Sequence, residues 1–375
     1  MSKTKKTLGC EVDNDVSSNF YYGLDKPTLP LKKSVFPLEL SRTSFLKPNS
    51  ASVSCVDALE VELWKWLNNE PKEADLNFLI ELIGNDYIHD QEASLDMYTV
   101  AAFISDHENR ILMTMDEERQ ETWTIPEDKV EDRETLVQAI KRIVLELTGL
   151  KFEPETLISV ENKKRLSLKF IFAGKIIGGE IKTKIKDKRV IECSKFFDFK
   201  EIHMSVKLKS LDILPIMEIG YKYTVSDMIP RNSLPVLNGY ARIYIRAIFI
   251  RDDPELKVLF YESCKNKQVC HGLPVVELYA SDTCIVVPLL RILLLAFGFV
   301  REPKVNGIVS IEHNANAHPK EKNDGLCLTI LSEPDPLTIG QIKEPFSWKI
   351  IKSEFLRNEI KYRSKTFGSV LFYKS

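Results

Sequence analysis

The sequence lacks nearly every short signature by which a catalytic or metal site announces itself. Its six histidines form no HxH or HExxH pair, which removes the helical zinc sites of metalloproteases. No GxSxG nucleophile elbow and no GxxxxGK phosphate loop occur. Seven cysteines are scattered without a CxxC. They read as reduced core thiols, and Cys264 with Cys270-His271 is only a fragment of a zinc site. A positive excess is missing too: 52 Lys and Arg stand against 54 Asp and Glu, for a net charge of −2. General nucleic-acid binding is therefore not expected, although a small nucleotide needs only a local basic pocket. No apolar run reaches the ~20 residues of a membrane span. The longest, Ile285–Val300, is interrupted by Pro288 and Arg291 and is expected to be a buried helix. The first residues, MSKTKKTLGCEVDNDVSS, carry lysines but no apolar core of signal-peptide length. The expected compartment is the cytoplasm, with nuclear access open.

What is present is enough for a packed core. At 375 residues, 44% hydrophobic and 28% charged, the chain suits one large or two modest domains. Residues 1–54, rich in Ser, Lys, Asn and Pro, read as a flexible lead-in. A helical extension is expected over 55–94, with helices at Asp57–Trp66 and Ala74–Ile83 before the Gly84-Asn85 stop. Strand patterns follow at Tyr98–Ser105, Ile111–Met115, Leu157–Glu161, Leu166–Ala173 and Glu180–Lys186, with a closing helix at Leu208–Ile219. This order predicts a mixed sheet with packed helices over 95–220. Beyond Pro230 the elements restart. Arg242–Arg251 and Lys257–Tyr261 pair around Asp252-Asp253-Pro254, and a helix at Ile285–Phe297 precedes strands at Val305–Glu312 and Gly325–Leu331. A second α/β unit is expected over 230–375. No repeat at solenoid spacing relates the two.

One segment carries chemistry: Trp123–Leu150, WTIPEDKVEDRETLVQAIKRIVLELTGL. Cleaving a diphosphate requires neutralising phosphoryl charge and activating water, work suited to Mg²⁺ or Mn²⁺. These cations want oxygen ligands, and a helix supplies them when carboxylates recur at i, i+3 and i+4 on one face. Carboxylates at 143, 146 and 147 would make such a cluster, but the residues are Ile143, Glu146 and Leu147. Leu136, Ala139, Ile140, Ile143, Val144 and Leu147 instead fall on one apolar stripe. On the residues alone, an ordinary amphipathic helix with Glu134, Arg142 and Glu146 at its edges accounts for the pattern.

The wider pattern resembles the Nudix box, G-x5-E-x7-R-E-U-x-E-E-x-G-U with U aliphatic. Glu134, Arg142, Val144, Glu146, Gly149 and Leu150 match, while Asp128, Ile143 and Leu147 depart from it. Trp123-Thr124-Ile125-Pro126 resembles the entry into the box and Lys129-Val130-Glu131 its continuation, whereas the usual Gly-Gly has become Glu127-Asp128. Glu153–Glu161, Phe170–Ala173 and Gly178–Thr183 resemble the branch that includes the 8-oxo-dGDP phosphatase. Asp324–Leu328 and Phe346-Ser347-Trp348 do so more faintly, and the likeness spans roughly 95–352.

The resemblance implies a Nudix-type α/β/α sandwich with a mixed sheet, preceded by the helical extension and followed by the second α/β unit. It implies hydrolysis of an acid anhydride in a nucleoside diphosphate derivative, with Mg²⁺ or Mn²⁺ where the site is active. Glu146 is the retained ligand position. Glu134 supports the loop and Arg142 orients the carboxylates. Glu127, Asp128, Glu131 and Glu192 are the acids that would have to complete a metal site. Two readings stay open: an enzyme of impaired activity, or an inactive module, needing no metal, that binds a nucleotide or a protein partner. The basic run Lys182, Lys184, Lys186, Lys188, Arg189 reads as a solvated strand edge, with phosphate steering the alternative.

Overall fold

The computed structural model describes residues 58–70, 98–116, 122–163, 167–186, 189–225, 233–238, 240, 242–265, 268–279, 282, 284–299, 301–315, 325–338, 341–365 and 371–374. The lead-in expected at 1–54 and the helix expected at Ala74–Ile83 lie outside them.

In chain order the first elements are α1 (Ala58–Leu67), β1 (Thr99–Ile104), β2 (Ile111–Asp116), β3 (Thr122–Thr124), β4 (Glu127–Lys129) and α2 (Leu136–Thr148). There follow β5 (Leu150–Lys163), β6 (Ser167–Gly179), β7 (Thr183–Lys186), β8 (Arg189–Glu192), β9 (Ser194–Phe197), α3 (Phe199–Met204) and α4 (Ile213–Val225). β6 is central: it runs parallel to β1 and antiparallel to β5, and β1 pairs antiparallel with β4. Because strand side chains alternate faces, Val100, Ala102 and Ile104 join Phe170 and Phe172 under the apolar stripe of α2. Ala101, Phe103, Ile171 and Ala173 point the other way and pack on Ile213, Ile216 and Met217 of α4. The result is a helix–sheet–helix sandwich with a mixed sheet.

Among the boundaries that differ from the sequence expectation, two involve a proline. β5 continues through Pro154, where the ladder with β6 shifts register between Pro154 and Thr156; an irregularity of this kind lets a strand carry a proline that cannot donate to the ladder. The closing helix starts at Ile213 rather than Leu208, which places Pro215 in the first turn, where its missing N–H is not needed.

Gly220 of α4 sits against the sheet: a Cβ there would stand 2.2–2.5 Å from the Phe103 ring. Alanine would gain about 1 kcal/mol of helix propensity. Phe103 is fully buried, however, and overpacking costs about 1–3 kcal/mol. Gly220→Ala is therefore expected to lower the thermal midpoint. An unchanged or raised midpoint in a melting experiment would show that Phe103 yields freely.

The later elements are β10 (Val236–Leu237), β11 (Ile243–Asp252), β12 (Leu256–Lys265), β13 (Gln268–Gly272), β14 (Val275–Glu277) and α5 (Val286–Phe297). After them come β15 (Lys304–His313), β16 (Leu326–Glu333), β17 (Phe346–Ile350), α6 (Glu354–Arg363) and β18 (Leu371–Lys374). Here β11 is central, parallel to β16 and antiparallel to β12 and β14. Ile243, Ile245, Ala247 and Phe249 pack under Leu289, Ile292, Leu293 and Ala296 of α5. Ile248 and Ile250 face α1 and α6 through Leu63, Trp66, Leu356 and Ile360. The α1 helix thus packs on the second sheet, and β18 returns to extend the first, pairing Leu371–Lys374 with Ser159–Asn162 of β5. The residues beneath α2 and those beneath α5 belong to one continuous apolar cluster. Among the described residues no helix is long and apolar enough to cross a membrane.

Candidate functional site

Both ends of α2 are built by local chemistry. Thr135 accepts from the Gln138 backbone at 3.1 Å, and the Gln138 side chain accepts from the Thr135 backbone at 2.9 Å, a reciprocal capping box. Gly149 ends the helix with φ 80° and donates to Leu145 O. A Cβ there would stand 2.3 Å from Glu180 O, so both conformation and space demand glycine.

From the outer edge of this helix Arg142 gathers three acids of the segment, Glu131, Glu134 and Glu146. Its Nε and Nη2 donate to the two Glu134 carboxylate oxygens at 2.8 and 2.7 Å. Its Nη1 lies 3.1 Å from Glu146 and 3.4 Å from Glu131, and Nη2 also donates to Lys129 O at 3.2 Å. Glu134 accepts in addition from the Glu131 backbone at 3.2 Å. Burial alone would raise the Glu134 carboxyl, but the paired guanidinium outweighs it and holds that carboxyl below its usual range. The bond to Glu134 in turn raises Arg142 above its ordinary value. This forked arrangement ties the 129–134 loop to α2.

The two remaining positions of the expected carboxylate face are apolar and inward. Ile143 is 1% exposed within the core, and Leu147 packs partly buried against it. Glu146 stands mostly exposed beside Arg142, and Lys182 Nζ donates to the Glu146 backbone oxygen at 2.5 Å, a cation at the helix C-terminus where the dipole favours one.

The loop acids are dispersed. Glu127 is ion-paired with Lys169, and the Asp128 carboxylate accepts from the Lys129 backbone at 2.8 Å. Glu131 belongs to the Arg142 group, and the backbone of Glu192 pairs with Thr183. Among the described residues no three His, Cys, Asp or Glu side chains stand together so as to hold a metal ion.

Residues 96–215 match the NUDIX domain family. This segment is a NUDIX domain. An 8-oxo-dGDP phosphatase, NUDT18, of Danio rerio is 24% identical over 291 residues, covering 74% of this chain and 87% of that protein. The protein of the same name from Homo sapiens is 24% identical over 289 residues, 71% of this chain and 83% of its own length. That of Mus musculus is 31% identical over 136 residues, 36% of this chain and 41% of its own length. The two longer alignments run well beyond the NUDIX domain into the second half of the fold.

Lys169 is the site residue that sequence reasoning passed over. It lies in the apolar strand Ser167–Gly179 and is almost wholly buried, opposite Thr99 of β1 and Glu161 of β5. A lysine inside the apolar run Leu168–Ala173 was a legible anomaly, because buried lysines are nearly always paired. Its partner Glu127 occupies one of the positions that are glycine in the Nudix pattern. The NUDIX domain here thus carries a carboxylate on β4 and its counter-ion on β6, the two strands that flank β1.

Proposed function

We propose that this chain binds a nucleoside diphosphate derivative, oxidised guanine nucleotides included, on its NUDIX domain, and that its capacity for hydrolysis is impaired. One observation carries the reading. Of the three helix positions that would hold the metal, only Glu146 has lone pairs to offer, and its carboxylate is already engaged by Arg142 at 3.1 Å. A single exposed carboxylate does not hold Mg²⁺ or Mn²⁺ against water, and the alkyl side chains of Ile143 and Leu147 turn the remaining coordination space into core. The residues present do not fit the divalent ion that this chemistry requires. The substrate class is supported by the named activity of the relatives.

The test is Mg²⁺- and Mn²⁺-dependent phosphate release from a panel of nucleoside diphosphates that includes 8-oxo-dGDP. The native chain is expected to turn over at or near background, with the nucleotide binding measured in parallel by calorimetry. Ile143→Glu with Leu147→Glu is expected to raise metal-dependent release, a melting curve serving as the folding control because position 143 is buried. Robust native turnover that is abolished by Glu146→Gln would overturn the impaired reading.

A further inference from the structure

The second unit repeats the NUDIX domain strand for strand. In it β11 runs parallel to β16 and antiparallel to β14, and β15 pairs antiparallel with β16. β1, β6, β4 and β5 stand in the same relations in the NUDIX domain. β12 pairs antiparallel with β13 and β17, as β2 does with β3 and β9. The helix α5 follows β14 as α2 follows β4. Even the register agrees. Ala102 donates to Pro126 O at 2.9 Å and Ala247 to Pro274 O at 3.0 Å, while Val130 and Leu278 donate to Tyr98 O and Ile243 O, both at 2.9 Å.

The loop and helix repeat the box as well. Gly298 ends α5 with φ 75° and donates to Leu294 O, as Gly149 donates to Leu145 O. Arg291 stands as far before Gly298 as Arg142 before Gly149. Its Nη2 donates to the Asp282 carboxylate and, at 2.9 Å, to Glu277 O. Arg142 Nη2 donates in the same way to Glu134 and Lys129 O. Asp282 accepts from the Tyr279 backbone at 2.8 Å, as Glu134 does from the Glu131 backbone. The fork that ties loop to helix is thus built twice. The positions matching 143, 146 and 147 are Ile292, Leu295 and Ala296, which offer a metal no oxygen.

The two folds also exchange strands. β10 follows α4 of the NUDIX domain and pairs parallel with β15, Val236 with Glu312. β18 follows α6 of the second unit and pairs parallel with β5, Tyr373 with Glu161. Glu161 and Glu312 are equivalent, since each is the residue after the one facing the equivalent pair Phe170 and Leu328. The exchange is therefore reciprocal and falls on the same edge of both sheets. Between them the apolar cluster is continuous, and the Asn162 side chain accepts from Ile285 at the start of α5 at 3.3 Å.

We infer that residues 243–363 form a second NUDIX-type fold, and that it serves the NUDIX domain as a permanent partner: one chain holds both protomers of a strand-exchanged dimer. Like folds that swap an element across a two-fold are a dimer's arrangement, and each swapped strand covers an edge that would otherwise be open to pairing. The second fold supports the first rather than adding a second metal centre. This goes beyond the nucleotide-binding reading and does not depend on it. Because the partner surface is already filled, the chain is expected to be a monomer.

Hydrogen exchange of the full chain, read by mass spectrometry, is compared with that of a chain lacking residues 371–375 and of Leu293→Ala and Ile292→Val beneath α5. Removing β18 is expected to speed exchange in β5 of the NUDIX domain on the order of 10-fold, although β18 follows the second unit in the chain. Leu293→Ala should speed the slowest amides of β5 and β6 together with those of β15 and β16. Ile292→Val makes the same test with a smaller cavity where Leu293→Ala does not fold. Unchanged β5 after the deletion, or a rise confined to the second unit in the core variants, would overturn the inference. So would sedimentation of the native chain as a dimer that forms with rising concentration.

Discussion

Glu312→Ala is expected to lower the unfolding free energy by about 3–5 kcal/mol, the range for stripping one partner from a buried ion pair. Arg246 and Glu312 are 2% and 1% exposed. Arg246 Nη1 donates to Glu312 at 2.6 Å and to Thr329 Oγ1 at 2.9 Å, and Nη2 donates to the Tyr240 hydroxyl at 2.6 Å. The guanidinium also lies over the Trp66 ring, 3.5 Å from its centroid, and Asn238 donates to Glu312. Removing Glu312 leaves a full charge in the core whose remaining partners among the described residues, Thr329, Tyr240 and Trp66, are neutral. Arg246→Met combined with Glu312→Leu is expected to recover much of the loss, since an apolar pair of similar volume carries no desolvation penalty. Urea unfolding of the single and double variants checks both. A loss below ~1 kcal/mol for Glu312→Ala would show that water reaches the guanidinium. Because Trp66 and Asn69 dock here, with Asn69 accepting from Ser310 at 2.9 Å, the single variant should also loosen α1, seen as faster amide exchange over Ala58–Leu67.

Acid is expected to destabilise the fold through His313 before the carboxylates titrate. Burial lowers this imidazole from the ordinary 6.5 to about 4. In the unfolded chain it takes its proton near 6.5; in the folded protein it does so only near 4. As pH falls, the unfolded state is protonated first. The stability present above pH 6.5 is therefore lost progressively between 6.5 and 4, to a total of ~3 kcal/mol. Glu134, held low by Arg142, adds to the loss further down, as pH falls through the carboxylate range. Unfolding free energies measured from pH 7.5 to 4.5 are expected to slope downward in the native chain and to flatten in His313→Phe. Parallel profiles for the two would sink the assignment.

Much of the site was legible because its signals are local. The α2 helix depends on residues a few positions apart, and α5 and the β11–β12 pair around Asp252–Pro254 follow the same rule. The absence of carboxylates at 143 and 147 was equally plain, since helical spacing alone puts those positions on one face with 146. Lys169 against Glu127, Tyr98 against His313, and α1 against the second sheet were not legible. Each joins residues whose own neighbourhoods give no sign of the partner. A histidine in an apolar strand does not reveal whether its nitrogens are met, and a lysine in one does not reveal which acid meets it.

By itself, then, the sequence determined the two α/β patterns, the box and its missing carboxylates, because period, capping and residue chemistry act within a few turns of chain. Only the tertiary structure decided that Glu146 lies beside Arg142, that the last strand completes the first sheet, and that His313 comes to rest against the NUDIX domain. Those outcomes are set by which apolar faces bury one another, and burial is a property of the packed chain rather than of any segment of it.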